Sequence, residues 1–166
     1  ASAGGWVQLD LGSVKNITGI KVLPRGSNVA QYVKKFRLEY GFSSSNGTHD
    51  IKFGNSFHAR YVRIYPEEYS GYTSLRFDVY VDGVLQDHRH GANGVTRTAS
   101  SHHSSGLSPS HSYLSSSTSW SHSGADAASA GGWVQLDLGS VKNITGIKVL
   151  PRGSNVAQYV KKFRLE

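Results

Sequence analysis

The chain has 166 residues, 18 Lys and Arg against 11 Asp and Glu, a formal charge of +7, and neither Cys nor Met. The missing cysteines exclude a disulfide framework and thiol chemistry, and no apolar run approaches the roughly 18–20 residues of a membrane helix. Residues 1–39 recur letter for letter as 128–166, and their six cations against two carboxylates, counted once instead of twice, leave +3 per 127-residue period. That charge suits solubility and falls short of the dense basic footprint of a nucleic-acid binder.

A period of 127 residues is the size of one ordinary domain with a core of its own. Period-two alternation runs through it. Trp6–Leu11 sets Val7, Leu9 and Leu11 on one face, and Gly12 ends it. Thr18–Leu23 sets Ile20 and Val22 on one side, and Pro24-Arg25-Gly26 breaks it. Val33–Tyr40 places Phe36, Leu38 and Tyr40 inward. Arg60–Tyr65 sets Val62 and Ile64 against Tyr61, Arg63 and Tyr65, and Leu75–Val81 sets Leu75, Phe77, Val79 and Val81 against Arg76, Asp78 and Tyr80. These are half-buried strands bounded by Gly, Pro, Asn and Ser clusters, and no segment of helical length shows a 3.6-residue period. The expected class is all-β, an antiparallel sandwich or barrel. Residues 84–127 are rich in Ser and His. With Val95, Leu107, Tyr113, Leu114 and Trp120 as anchors, they read as a loop-rich lead into the domain, after a connector at about 84–93.

Taken in the order 84–166 then 40–83, the period resembles a discoidin domain, the coagulation factor 5/8 type C module. Gly132-Trp133-Val134-Gln135-Leu136-Asp137-Leu138-Gly139 is similar to the family's W-x-Q-x-D-L-G. Tyr159-Val160-Lys161-Lys162-Phe163-Arg164-Leu165-Glu166 continues in the other copy as Tyr40-Gly41. His58-Ala59-Arg60-Tyr61-Val62-Arg63-Ile64-Tyr65-Pro66 resembles A-R-Y-V-R-I-x-P, and Ser74-Leu75-Arg76-Phe77-Asp78-Val79-Tyr80 resembles the closing strand. The resemblance implies an eight-stranded jelly-roll β-sandwich. It divides the chain into 1–83, the C-terminal two-thirds of one repeat, and 84–166, the N-terminal two-thirds of the next.

The resemblance also implies sites. Sugar-binding relatives use an Arg and an Asn after the W-x-Q-x-D-L-G hairpin, a His and aromatics. The matching positions are Arg25 and Asn28, Arg152 and Asn155 in the copy, His122, and Tyr69 or Tyr72. A guanidinium and an amide can grip vicinal hydroxyls while an aromatic face packs on the sugar, although Pro-Arg-Gly-Ser-Asn is turn chemistry in any case. Carbohydrate-binding relatives that hold Ca²⁺ carry an Asp-Gly pair and a Thr before the Trp120 position, where this chain has Ser115-Ser116-Ser117-Thr118-Ser119. Asp78 alone supplies a carboxylate, so the expectation is no cofactor and no metal, with Ca²⁺ as the alternative although its usual ligand motif is missing. The loops lack the paired large aliphatics of a membrane-docking module. Asn16, Asn46 and Asn143 each open an N-x-Thr sequon and are candidate glycosylation sites.

No nucleophile elbow, paired-carboxylate motif or phosphate-binding Gly loop is present, so no enzyme is expected. The reading is a non-enzymatic extracellular protein of tandem discoidin-like repeats, acting in adhesion or as a self-assembling filament with neighbouring repeats as partners. The alternatives are a lectin that binds glycans through the Arg25/Asn28 pocket, and an engineered permutant. Either 39-residue copy can complete a fold with residues 40–127, which leaves the other for a neighbour or unpaired.

Overall fold

A computed structural model describes residues 7–12, 20–27, 30–33, 46–124 and 131–166. Its strands are β1 (His49–Ser70), β2 (Ser74–Val81), β3 (Val84–Leu85), β4 (Thr96–Ala99), β5 (Trp120–Ser121), β6 (Val134–Leu150) and β7 (Tyr159–Leu165), with short 3₁₀ turns at Ser105–Leu107 and Pro109–His111. All pairings are antiparallel. The order is β3-β2-β6-β1-β7, with β4 also on β6 and β5 on β2. The all-β expectation holds, and the curled antiparallel sheet is consistent with a discoidin β-sandwich.

The two long strands carry the architecture. The half of β6 that precedes Gly139 pairs with Tyr61–Ile64 of β1 and with β4, while the half that follows pairs with His49–Lys52 of β1 and with β2. Register shifts at Lys52/Phe57 and Ala59/Tyr61 let β1 bend along with it. The alternation read from the sequence then sets the core, except in β2, where Asp78 and Tyr80, read as facing away from it, are buried too. Val62, Ile64, Phe77, Val79, Val134, Leu136, Ile147 and Val149 lie inside with Trp120, while Arg63, Tyr65 and Gln135 line the outer face.

Among the described residues there are seven strands, and the two strand signatures of the second copy join as β6. Gly139 sits between them at φ +74° and bends the strand without ending it. A further expectation is corrected, and it concerns the first copy. Val7–Leu11 and Ile20–Leu23 form no strand, although their sequence is that of β6. Val7, Leu9 and Ile20 are 97%, 81% and 57% exposed, whereas Val134, Leu136 and Ile147 are fully buried. The reason is stoichiometric. Residues 46–124 offer one place in the sheet, and the second copy occupies it. Of the Val33–Tyr40 strand only Val33 lies within the described residues, and it is exposed; its counterpart Val160 is buried in β7.

The Ser-rich segment 84–124 packs instead of trailing. Val95, Leu107 and Trp120 are buried, as are Ser112, Ser116, Ser119 and Ser121. Trp120 Nε1 donates to the Ser101 carbonyl at 2.8 Å.

Candidate functional site

Three loops meet at one end of the sheet: 71–73 between β1 and β2, 114–122 running into β5, and 151–158 between β6 and β7. The His122 amide donates to the Thr73 carbonyl at 3.3 Å, and the Gly153 amide donates to the Thr118 carbonyl at 2.9 Å. The Oγ atoms of Ser74 and Ser121 are hydrogen-bonded beneath them. Gly153 is required by this contact, since a Cβ there would stand 2.6 Å from the Ser117 carbonyl oxygen and 2.7 Å from that of Ser116.

The 151–158 loop is organised from within. Arg152 and Gln158 are joined by N–H to carbonyl at 3.0 Å and by Nη1 to Oε1 at 2.8 Å. Arg152 Nε donates to Ser154 Oγ at 2.8 Å, and Asn155 Oδ1 accepts from the Ala157 amide at 3.2 Å. In the first copy, Arg25 and Gln31 make the same pair, 3.0 Å between backbones and 2.9 Å between side chains. The Arg/Gln pair therefore forms whether or not its copy is seated in the sheet, which marks it as local in origin.

The structure brings some of the expected residues together. Tyr72 is half-exposed and packs edge-on against His103, ring centroids 5.9 Å apart. His122 packs edge-on against Trp120 at 6.3 Å. Tyr72, His122, Arg152 and Asn155 thus stand on the three loops that touch. Tyr69 differs, because it lies within β1 opposite Val160. Arg25 sits on the unseated copy, and Asn28 and Asn16 lie outside the described residues. Two nitrogens of Arg152, Nε and Nη1, are committed inside its own loop.

Two contributors escaped the sequence reading. His103 stacks on Tyr72, and its amide donates to the Ser121 carbonyl at 2.9 Å. Arg76 donates from Nε to the Pro151 carbonyl at 2.8 Å and from Nη1 to the carbonyls of Leu114 and Ser116 at 2.6 and 3.1 Å. One guanidinium thus ties two of the three loops, and burial lowers its pKa. The signal was the outward Arg of Ser74-Leu75-Arg76, whose partners are carbonyls that sequence does not single out.

The Ca²⁺ fit fails on the residues present. Asp78 is fully buried: its Oδ2 accepts from Arg97 Nη2 at 2.8 Å and the His88 amide at 2.6 Å, and its Oδ1 accepts from the Val79 amide at 2.8 Å and lies against the His88 imidazole. Arg97, itself buried, also donates to the carbonyls of His88 and Ser112. Burial pulls its pKa down to about 10, against the opposing pull of Asp78. The Asp78 carboxylate is thus already neutralised by a buried cationic side chain. Among the described residues, no three His, Asp or Glu side chains converge as a metal site.

Of the sequons, Asn46 is exposed and its Oδ1 accepts from the Thr48 amide at 3.1 Å. Asn143 is half-buried in β6, its Nδ2 donating to Asp82 at 2.9 Å. No helix is long and apolar enough to cross a membrane among the described residues.

The family model described as F5/8 type C domain matches residues 1–79 and 96–166, more than half of the chain. No curated protein and no solved structure matches it. Domains of this kind are typically extracellular or cell-surface binding modules and are generally non-catalytic. With the signature strands paired as described and the family model covering both copies, the chain belongs to the F5/8 type C, or discoidin, family.

Proposed function

We propose that this is a non-enzymatic extracellular protein of tandem discoidin-like repeats that acts in adhesion or as a self-assembling filament, with residues 1–83 closing one repeat and 84–166 opening the next. One observation carries the reading. The core-facing side chains of the first copy, Val7 and Leu9, are exposed, while the identical Val134 and Leu136 are buried. A strand set patterned for a core and left outside it favours a neighbour that covers it. A head-to-tail contact that does not close gives an open assembly. Electron microscopy of the purified protein tests this: filaments or chains of particles are expected, and monodisperse single particles contradict it.

A second reading is a lectin, favoured by the meeting of Tyr72, His122, Arg152 and Asn155 on touching loops. Arrays of such weak sites would gain avidity a hundredfold or more. Glycan-array binding that is lost in Arg25→Ala/Arg152→Ala supports it, and absence of binding to any glycan contradicts it. The exposed Asn46 is the sequon best placed to carry a glycan.

A further inference from the structure

The molecule contains one acceptor and two donors. The acceptor is residues 46–124, which supply β1 through β5. The donors are the two identical 39-residue segments, of which 128–166 supplies β6 and β7. The seam between acceptor and seated donor runs the length of β6, against β1, β2 and β4, and along β7 against β1. Every acceptor side chain that receives Val134, Leu136, Ile147, Val149 or Val160 would receive Val7, Leu9, Ile20, Val22 or Val33 with no change of shape, because the residues are the same. Windows 1–127 and 40–166 each hold one full period. They differ only in where the chain is cut, at 127/128 or at 39/40, and domains tolerate such permutation.

We infer that residues 1–39 and 128–166 compete for this single acceptor, and that the displaced donor is captured by the acceptor of a second copy of the chain. Within residues 1–166 two donors face one acceptor, so one of the two is spare whenever the other is seated. Within a chain the choice between donors is near balance. Between chains the same contacts form, opposed by the loss of independent motion and favoured by high local concentration. Arg25, already bound to Gln31 as Arg152 is to Gln158, gives the spare donor part of its bound shape before capture. The inference names the contact through which the proposed assembly would form and rests on that reading only for its biological use. Particles without filaments would defeat the assembly reading and leave the competition standing.

The test is a set of three variants of the full chain. Leu136→Asp places a charge in the core position of the second donor, Leu9→Asp does so in the first, and the third variant carries both. Each single variant is expected to keep one cooperative unfolding transition, since the intact donor takes the acceptor, and the double variant is expected to have none. Loss of the transition in Leu136→Asp alone overturns the competition, as does its survival in the double variant. For capture, the double variant is refolded with an excess of the unaltered chain. Recovery of its near-ultraviolet circular dichroism, in a complex with the mass of two chains, is expected. A mixture in which the double variant stays unfolded, or the species stay separate, overturns the capture.

Discussion

Asp137 and Arg60 form a two-point ion pair, 2.7 Å from Nε to Oδ1 and 2.9 Å from Nη2 to Oδ2. Arg60 holds the Asp137 carboxyl below the ordinary carboxylate range. Asp10 is the same residue one period earlier. Its Oδ1 accepts from the Gly12 amide at 2.8 Å, as that of Asp137 accepts from Gly139 at 2.9 Å. The turn is therefore common to both copies, and the ion pair belongs to the seated one. Local structure follows the local sequence, whereas tertiary partners follow from which copy the acceptor holds.

This division makes acceptor and donor positions behave differently. Phe77 is fully buried in β2 and has no duplicate, so Phe77→Ala should cost about 3–5 kcal/mol. Leu136 is equally buried, yet Leu136→Ala should cost well under the ~2–5 kcal/mol of an ordinary buried Leu, because the first donor retains Leu9. Denaturant unfolding of both variants checks the contrast.

His49 gives the seam a pH dependence. It is buried, donates Nε2–H to the Val160 carbonyl of β7 at 3.0 Å, and packs edge-on against Phe163. Burial lowers its pKa from the ordinary 6.5, with the Val160 bond opposing. Below 6.5 the unfolded chain takes up a proton that the fold resists, so the unfolded state binds more protons and stability falls as pH falls. The loss should begin near pH 6.5 and continue to the lowered folded pKa, with a slope of at most about 1.4 kcal/mol per pH unit from this group. Melting temperatures across pH 7.5 to 5 should show it, and His49→Gln, which can still donate to Val160, should flatten it. The carboxyls of Asp50, Asp87 and Asp137 lie below their ordinary value, so their contribution is lost only at more acid pH.

The Asp78–Arg97 pair is buried on both sides. Asp78→Asn strands a guanidinium among carbonyls and should cost about 3–5 kcal/mol. Millimolar Ca²⁺ should leave the melting temperature of the unaltered protein unchanged, because Arg97 holds the carboxylate. A calorimetric melt with and without the ion checks both statements.

Arg76 should act on the site from behind. Arg76→Ala removes three bonds to loop carbonyls and should destabilise by about 2–3 kcal/mol. Where a glycan ligand is found, binding should weaken at least tenfold even though Arg152 is untouched. Arg76→Lys should restore part of the stability and little of the binding, since an ammonium cannot span Pro151 and Leu114 in one plane.

Much of the fold was legible because alternation and burial are the same statement in a sheet: Val62, Ile64, Phe77 and Val79 face the core where the period-two pattern put them. The loop residues Arg152 and Asn155 were legible through the resemblance, and their turn through its own Pro-Arg-Gly-Ser-Asn. What sequence could not settle was competition. Val7 and Val134 carry identical neighbours, so no local rule separates the exposed copy from the buried one. Nor could it find partners defined by backbone atoms, which is why the three carbonyls held by Arg76 and the Ser116 and Ser117 carbonyls beside Gly153 came only with the structure. His88 lies in the stretch read as a loop-rich lead. Its place against Asp78 follows from the reversal at Asp82-Gly83 between β2 and β3, a two-residue Asp-Gly turn that the sequence carries but whose partner across the fold it does not name.

The central claim is that one acceptor seats one donor at a time. Hydrogen exchange of the full chain, followed by intact mass under native conditions, tests it most directly. The account predicts that roughly 40 amides, about one donor's worth, exchange at unfolded rates while those of the sheet exchange slowly, because residues 1–166 hold two donors for one acceptor. Slow exchange extending over both copies would contradict it.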